Sequence, residues 1–188
     1  MRLILASASP RRLELLSRIG VVPDAVIPAE IDETPRRGEL PVGYACRMAA
    51  EKAAAVAEGG ALTLAADTVV AVGRRILPKA ETEAEARAAL KLLSGRRHRV
   101  HSAVTLVDGD GKSRHRLSIS VVAFKRMSDD ELGAYLAGGE WHGKAGGYAI
   151  QGRAQALVRF LSGSYSGVVG LPLYETRALL RVAGYPLG

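Results

Sequence analysis

Apolar and polar positions along this chain follow two periods, one typical of helices and one typical of strands. Apolar residues recur every three or four positions in the longer segments, while shorter segments are continuously apolar or alternate with polar residues. The predicted helices run from Pro10 to Gly20, from about Pro41 to Glu58, from Thr82 to Ser94, over a short stretch after Ser128 and from Pro172 to Val182, and the predicted strands are Leu3 to Ala6, Val21 to Ile27, Leu62 to Val72, Val100 to Leu106, Leu117 to Ala123 and Ala156 to Leu161.

Two helix starts and one hairpin are also indicated by side-chain chemistry. Thr82 with Glu85, and Ser128 with Glu131, have the spacing of capping boxes. The run Asp-Gly-Asp-Gly at 108–111 suits a turn between two strands. Helices mixed with strands and one hairpin predict an α/β fold, in which helices flank a mixed, twisted sheet. No Pro- or Ser-rich linker divides the sequence, so we expect all 188 residues to form a single domain.

The first predicted strand ends in a polar turn that leads directly into a helix. Ser9 suits the N-cap position, and Leu13, Leu16 and Ile19, with Leu15 beside them, are expected to form one apolar helix face. Free N–H groups and the helix dipole at such a start attract anions. Hydroxyl and guanidinium groups strengthen this attraction at Ser7, Ser9, Arg11 and Arg12. The turn is therefore a candidate anion site.

One carboxylate and three lysines stand out from their surroundings. Asp67 interrupts an apolar strand, where an unpaired carboxylate would cost several kcal/mol, so it must be paired, metal-bound or at an open end. A lysine is the expected partner if Asp67 is paired. Arginine outnumbers lysine in this chain, so it is the usual choice where a positive charge is enough. Lys52, Lys79 and Lys144 are therefore candidates for a specific role.

Two loops complete the set of unusual positions. Residues 28–35 form an acidic loop that contains Asp32 and Glu33, and residues 143–152 form a glycine-rich loop that contains Gln151. Magnesium prefers one or two carboxylates together with phosphate oxygens, and cationic side chains offset charge that develops on a phosphoryl group. The combination therefore suits hydrolysis of a nucleotide phosphate.

Composition narrows the class of protein and of partner. Hydrophobic residues make up 48% and charged residues 24%, which is typical of a globular protein and not of a membrane protein. The lone cysteine, Cys46, permits no intrachain disulfide, and we expect a cytoplasmic protein. The net charge of +7 favours anionic partners, but the basic residues are scattered and aromatic residues make up only 5%. We therefore expect a small phosphorylated ligand and no nucleic acid or membrane.

Five motifs follow one another along the chain. They are Leu-Ala-Ser-Ala-Ser-Pro-Arg-Arg at 5–12, Glu-Lys-Ala at 51–53, Ala-Asp-Thr-Val-Val at 66–70, the segment from Lys144 to Gly152, and Gly-Ser-Tyr at 163–165 with Val-Gly-Leu-Pro-Leu at 169–173. With these motifs the chain closely resembles the Maf family of nucleoside triphosphate pyrophosphatases. The resemblance implies an inosine triphosphatase-like fold shared by Maf and Ham1 proteins, a homodimer, and cleavage between the α- and β-phosphates with a divalent cation, Mg²⁺ or Mn²⁺.

The resemblance also implies roles for individual residues. The family's proton acceptor falls on Asp67, and its charged pocket residues fall on Glu33, Lys52 and Lys79, with Asp67 and Glu33 as metal ligands. The substrate-binding residues implied are Ser7, Ser9, Arg11, Arg12, Thr68, Lys144 and Gln151. Ala80 stands where the family usually has proline after the lysine, which leaves the placement of Lys79 open.

Three positions resemble the members that prefer dTTP and UTP. They are Arg11, Thr68 and Gln151, and the branch that acts on 7-methyl-GTP differs at all of them. The amide of Gln151 offers both an acceptor and donors, which match the N3–H and a carbonyl of thymine or uracil. The implied function is removal of unwanted nucleotides before they are incorporated.

Two other functions stay open from the sequence. One is a Maf-type pyrophosphatase for 7-methyl-GTP or another nucleotide. The other is a non-catalytic protein that binds nucleic acid or regulates division, which the charge of +7 favours. Carboxylates in the anion site oppose the second alternative, because without a cation they repel phosphate.

Overall fold

The computed structural model describes all 188 residues and contains a mixed α/β arrangement. The strands are β1 (Leu3–Leu5), β2 (Ala25–Val26), β3 (Leu62–Val72), β4 (Arg75–Leu77), β5 (Lys79–Ala80), β6 (Arg97–Val107), β7 (Ser113–Phe124), β8 (Lys144–Ala145) and β9 (Val158–Ser162), and the helices are α1 (Pro10–Ser17), α2 (Pro41–Val56), α3 (Glu83–Leu93), α4 (Asp129–Ala137), a 3-10 helix (Arg153–Leu157), α5 (Tyr165–Val169) and α6 (Leu173–Val182). No helix is both long and apolar enough to cross a bilayer.

The main sheet is mixed, as predicted. Its strand order is β2-β1-β3-β6-β7-β9, with β4 paired to the far end of β3. β1 runs parallel to β2 and β3, whereas β3, β6, β7 and β9 pair antiparallel. Since β1 and β3 are parallel neighbours, the turn that follows β1 lies beside the middle of β3. This arrangement brings the predicted anion turn close to Asp67.

The two faces of β3 are covered by different helices, because side chains alternate along a strand. Leu62, Leu64 and Ala66 belong to an apolar cluster with residues of α1 and α6. On the other face, Ala65 and Val69 pack against α2, whose fully buried residues in these clusters are alanines. Small side chains let α2 approach the sheet closely, and this face also carries Asp67.

A second large cluster closes the other end of the sheet. It joins α3 and α4 to β6 and β7, with Leu90, Phe124 and Leu136 among its buried members. Tyr148 and Ile150 of the glycine-rich loop belong to the same cluster. The loop is thus anchored in the core and not free in solvent.

Most of the predicted elements are present, and both capping boxes form as predicted. The first helix ends at Ser17 instead of Gly20, and its buried residues are Leu15 and Leu16, while Leu13 is 39% exposed. Ser9 occupies the N-cap position, but its side chain makes no capping hydrogen bond.

Four predicted segments differ from the structure, and three of them differ because pairing between distant strands decides their bounds. The strand expected from Val21 to Ile27 pairs only over β2, and the strand expected from Ala156 begins at Val158, after the 3-10 helix. The expected loop after Ser162 contains α5, whose N-cap Ser164 accepts a hydrogen bond from Gly167 N. The glycine-rich loop contributes β8, which pairs with β5. None of these partners is visible in the local pattern of apolar residues.

Candidate active site

One cavity of about 260 Å³ collects every residue that the sequence singled out for the site. It opens at the end of β1, beside β3 and beneath the glycine-rich loop. The predicted site residues in its wall are Ser7, Ser9, Arg11, Arg12, Glu33, Lys52, Asp67, Thr68, Lys79, Lys144 and Gln151. Asp32 is exposed and lies outside this wall, and its carboxylate accepts a hydrogen bond from Thr34 N at 2.9 Å.

The turn after β1 is held by hydrogen bonds to Ser7. The buried hydroxyl of Ser7 accepts from Ser9 N at 3.1 Å and from Arg12 Nη1 at 3.2 Å. Arg12 Nε donates to the carbonyl oxygen of Gly170 at 2.9 Å. Burial lowers the pKa of Arg12, and Arg11 lowers it further, against the attraction of Asp67 and Glu33. Arginine nevertheless stays protonated in proteins, so a fixed guanidinium faces the cavity.

A chain of alternating charges lies opposite this turn. Lys52 Nζ is 2.8 Å from Asp67 Oδ1 and 2.9 Å from Glu33 Oε1, and Lys79 Nζ is 3.2 Å from Glu33 Oε2. The side chains of Lys52 and Asp67 are each only 8% exposed. Asp67 is therefore paired with a lysine, as predicted. Buried ion pairs are rarely a net source of stability, so this cluster is better explained by function.

The carboxylate of Glu33 is ionised because of its lysine partners. Burial by itself would raise the pKa of Glu33, but hydrogen bonds and attraction from Lys52 and Lys79 outweigh burial and bring that pKa below its ordinary value. At neutral pH Glu33 thus presents a negative charge to the cavity.

The carboxylates fit a divalent cation that arrives with phosphate. Asp67 Oδ2 makes no hydrogen bond within the chain, and Asp67 and Glu33 both line the cavity. No group of three or more carboxylate, imidazole or thiol side chains comes together that would hold a metal by itself. Mg²⁺ is commonly bound by one or two carboxylates plus substrate phosphates, so this donor set suits a cation shared with the ligand.

The glycine-rich loop forms a further part of the cavity wall. Gln151 is exposed there, next to the buried residues Tyr148 and Ile150. The phenol oxygen of Tyr148 lies 2.7 Å from His98 Nε2, and the ring of His98 stacks on Phe124. These contacts fix the loop from below and leave the amide of Gln151 free to face a ligand.

Pairing of β5 with β8 connects the charge cluster around Glu33 to the glycine-rich loop. Lys79 lies opposite Ala145, and Ala80 lies opposite Lys144. Ala80 is buried, and its carbonyl oxygen accepts from Gly143 N at 2.8 Å. Lys79 therefore reaches the cavity although alanine follows it. Burial lowers the pKa of Lys144, and the nearby Arg11 lowers it further.

Sequence reasoning missed several residues that support the site. Tyr44 and Arg47 hold the acidic loop, His98 holds Tyr148, and the carbonyl oxygen of Gly170 fixes Arg12. Tyr44 precedes Lys52 by two helical turns, a spacing that places both on one helix face and was available from the sequence. Gly170 offers no such indication, because its contact joins positions far apart in the chain.

Fold and site together define a class of protein: an α/β protein whose cavity joins a cationic anion-binding turn to paired carboxylates. A family model described as Maf-like protein matches residues 2–183. The chain is 64% identical over 184 residues to a dTTP/UTP pyrophosphatase of Novosphingobium aromaticivorans, covering 97% of this chain and 92% of the relative. It is 60% identical over 187 residues to a dTTP/UTP pyrophosphatase of Zymomonas mobilis, covering 98% and 93%. The chain belongs to the Maf family.

Among solved structures, the chain is similar to a HAM1 protein from Coxiella burnetii. The sequences are 19% identical, the TM-score is 0.47, and the match covers 68% of this chain and 74% of the other. Similarity at this level leaves the functional assignment to the Maf relatives and to the site itself.

Proposed function

We propose that this protein is a nucleoside triphosphate pyrophosphatase that converts dTTP and UTP to the monophosphate and pyrophosphate. The observation that carries the proposal is that the Lys52–Asp67 pair and Gln151 lie in the wall of one cavity. Relatives named dTTP/UTP pyrophosphatase, at 60% identity or more over nearly the whole chain, support the choice of nucleotide. The use to the cell is removal of unwanted or modified pyrimidine nucleotides before they are incorporated.

The geometry suits a division of labour among the side chains. The turn from Ser7 to Arg12 binds phosphate oxygens through its hydroxyls and guanidinium groups. Lys52 and Lys79 orient the carboxylates and offset negative charge on the phosphates. Asp67 accepts a proton from water as the water oxygen bonds to the α-phosphorus. The bond from that phosphorus to the α,β-bridging oxygen then breaks, and pyrophosphate leaves.

Asp67 and Glu33 would hold a divalent cation, Mg²⁺ or Mn²⁺, together with the triphosphate. When bound, such a cation supplies positive charge that stabilises the phosphoryl oxygens in the transition state. Asp67 Oδ2, which makes no hydrogen bond within the chain, supports this assignment.

At the base end, Gln151 distinguishes pyrimidines from purines. Its amide pairs with N3–H and a neighbouring carbonyl of thymine or uracil. Adenine lacks this donor–acceptor pair, and guanine presents it at N1–H and O6, which the second ring places farther from the sugar. Arg11, Thr68 and Lys144 line the same cavity and complete the substrate contacts. We further propose that the protein works in the cytoplasm as a homodimer, consistent with its single, unbridged cysteine and with its family.

A nucleotide panel tests the proposed function. The protein is incubated with dTTP, UTP, CTP, ATP, GTP and 7-methyl-GTP in the presence of Mn²⁺ and inorganic pyrophosphatase, and phosphate is measured with malachite green. The expected result is a kcat/KM for dTTP and UTP at least about tenfold above that for the purines. Preference for a purine would overturn the assignment of Gln151, and absence of any turnover would overturn the enzyme itself.

A further inference from the structure

Helix α2 holds the acidic loop from outside the cavity. The phenol oxygen of Tyr44 donates a hydrogen bond to the main-chain carbonyl oxygen of Glu33 at 2.7 Å. Arg47 Nη2 donates to the carbonyl oxygen of the next residue, Thr34, at 3.2 Å. Neither Tyr44 nor Arg47 lines the cavity. Since Lys52 of the same helix binds the Glu33 carboxylate, α2 contacts both the main chain and the side chain of Glu33.

The two donors on α2 are themselves held in place. Arg47 forms a two-pronged ion pair with Glu39, with Nε to Oε1 and Nη2 to Oε2 both at 2.7 Å, and both side chains are nearly buried. Such paired hydrogen bonds fix the orientation of a guanidinium group. The guanidinium carbon of Arg47 also lies 5.5 Å from the centre of the Tyr44 ring. The donors therefore form a preset support for the loop.

The loop needs such a support because it has no regular structure of its own. No strand or helix lies between β2, which ends at Val26, and α2, which begins at Pro41. A carboxylate on an irregular segment samples many positions, and ordering it upon binding lowers affinity. Hydrogen bonds that hold the segment before the ligand arrives remove part of that cost.

We propose that Tyr44 is a positioning residue, assisted by Arg47, that places the Glu33 carboxylate beside Asp67 for the divalent cation carried by the nucleotide. The proposal rests on the proposed pyrophosphatase function. Tyr44 touches neither substrate nor cation and acts only through the main chain of Glu33. Its removal therefore weakens cation binding without altering the groups that perform the chemistry.

The test is Tyr44→Phe, which removes one hydroxyl and keeps the ring that packs against α2 and β3. Binding of Mn²⁺ is measured by electron paramagnetic resonance in the presence of α,β-imido-UTP, which is not hydrolysed. The half-saturating Mn²⁺ concentration is expected to rise about 3- to 10-fold, which corresponds to the loss of one buried hydrogen bond. At saturating Mn²⁺, kcat and KM for UTP are expected to stay within about twofold of wild type.

The matched control is Tyr185→Phe, because Tyr185 also donates a phenol hydrogen bond to a main-chain carbonyl, that of Val22, far from the site. Tyr185→Phe should leave the Mn²⁺ dependence unchanged. In the Glu33→Gln background, Tyr44→Phe should cause no further loss of Mn²⁺ binding, since its only route of action is gone. A purely structural role would lower Mn²⁺ binding equally in both backgrounds.

Four outcomes overturn the inference: an unchanged Mn²⁺ dependence in Tyr44→Phe, a loss of kcat that Mn²⁺ does not restore, an equal shift in Tyr185→Phe, or an equal loss of Mn²⁺ binding with and without Glu33→Gln. If the melting temperature shows that Tyr44→Phe is unfolded, Arg47→Lys decides, because it keeps the charge but loses the fork that reaches Thr34. Wild-type protein that hydrolyses no triphosphate would instead overturn the proposed function. An active wild type with an unaffected Tyr44→Phe variant refutes the positioning role alone.

Discussion

At the scale of single residues, the Lys52–Asp67 contact explains how a carboxylate can stay in the middle of an apolar strand. The ammonium group of Lys52 is shared between Asp67 and Glu33, so loss of one carboxylate leaves Lys52 with a partner. A conservative substitution of Asp67 should consequently change the catalytic rate much more than the free energy of unfolding.

Asp67→Asn is expected to lower kcat for UTP by at least about 100-fold, because the amide cannot accept a proton from water. Its oxygen can still accept from Lys52, so the free energy of unfolding should fall by only about 1–3 kcal/mol. Steady-state kinetics and urea unfolding check the two parts. Asp110→Asn, at an exposed turn position, serves as the control and should change neither quantity. Full activity in Asp67→Asn would exclude Asp67 as the proton acceptor.

His98 is a second residue whose environment has a measurable consequence. Burial lowers the pKa of His98 to about 4, so the folded protein keeps this imidazole neutral well below neutral pH. In the unfolded chain its pKa is about 6.5. Between these values the unfolded state binds more protons than the folded state, and the free energy of unfolding must fall as the pH is lowered through this window.

The contribution of His98 to this acid loss should total about 3 kcal/mol between pH 7 and pH 4. His98→Gln keeps a polar partner for Tyr148 but does not titrate. Between pH 7 and pH 4, the free energy of unfolding of this variant should therefore fall by about 3 kcal/mol less than that of the wild type. Urea unfolding at several pH values measures the difference. If the free energy of unfolding depends on pH in the same way in the wild type and the variant, His98 does not titrate with a lowered pKa.

At the scale of elements, the glycine-rich loop reaches the core because glycine permits its backbone to approach α3. Gly147 has φ +70°, and a Cβ added there would lie 3.0 Å from the Cα of Ala86. The contact is with main chain and cannot relax by rotating a side chain. Gly111, in the hairpin turn, has a similar φ of +82° but nothing within 4 Å of an added Cβ.

Substitutions at Gly111 and Gly147 distinguish the cost of backbone strain from the cost of close packing, because both glycines have a positive φ but only Gly147 lies against another element. Gly111→Ala should lower the free energy of unfolding by about 1 kcal/mol, the cost of a left-handed alanine. Gly147→Ala should lower it by about 2–4 kcal/mol, because overpacking against α3 adds to that strain. It should also raise KM for UTP, since Gln151 lies on the displaced loop. Equal effects of the two substitutions on stability would refute the packing argument.

Elements with strong local periodicity were predictable, and those that depend on distant partners were not. The side chains of the capping boxes bind main-chain groups three residues away, and the run from Leu62 to Val72 is continuous enough in apolar residues to indicate a buried strand. The pairing of β5 with β8 depends on residues from elsewhere in the chain. The same is true of the short helix α5, because Ser102 and Ser120 hydrogen-bond to its main chain and to its N-cap. Ser9 shows the same limit: it is the N-cap, yet the hydroxyl of Ser7 accepts the hydrogen bonds in this turn.

The residues that line the cavity were easier to single out from the sequence than the bounds of the strands, because they are chemically unusual where they stand. A carboxylate in an apolar strand and lysines in an arginine-rich chain are visible without coordinates. The residues that support them, such as Tyr44 and His98, are ordinary helix and strand residues. The spacing of Tyr44 from Lys52 was available from the sequence, but the contacts of Tyr44 with Glu33 and of His98 with Tyr148 are visible only from the distances.

At the scale of the whole molecule, the cavity exists only when distant parts of the chain have come together. Its wall contains residues from Ala6 to Val169, among them residues of the turn after β1, of α1, α2, β3 and α5, and of the glycine-rich loop. The unfolded chain cannot form such a site. Binding of a nucleotide should therefore stabilise the folded state as a whole, by an amount that grows with ligand concentration.

With α,β-imido-UTP and Mn²⁺ at about 100 times the dissociation constant, folding should gain about 2.7 kcal/mol, or roughly 5–10 °C in melting temperature for a protein of this size. The GTP analogue at the same concentration should shift the melting temperature less, because the second ring of guanine places its N1–H and O6 farther from the sugar than the matching edge of uracil. Gln151→Ala should reduce the shift with the UTP analogue and leave that with the GTP analogue unchanged. Equal shifts with both analogues in the wild type would place base recognition away from Gln151, whereas no shift with either would mean that this cavity does not bind nucleotides.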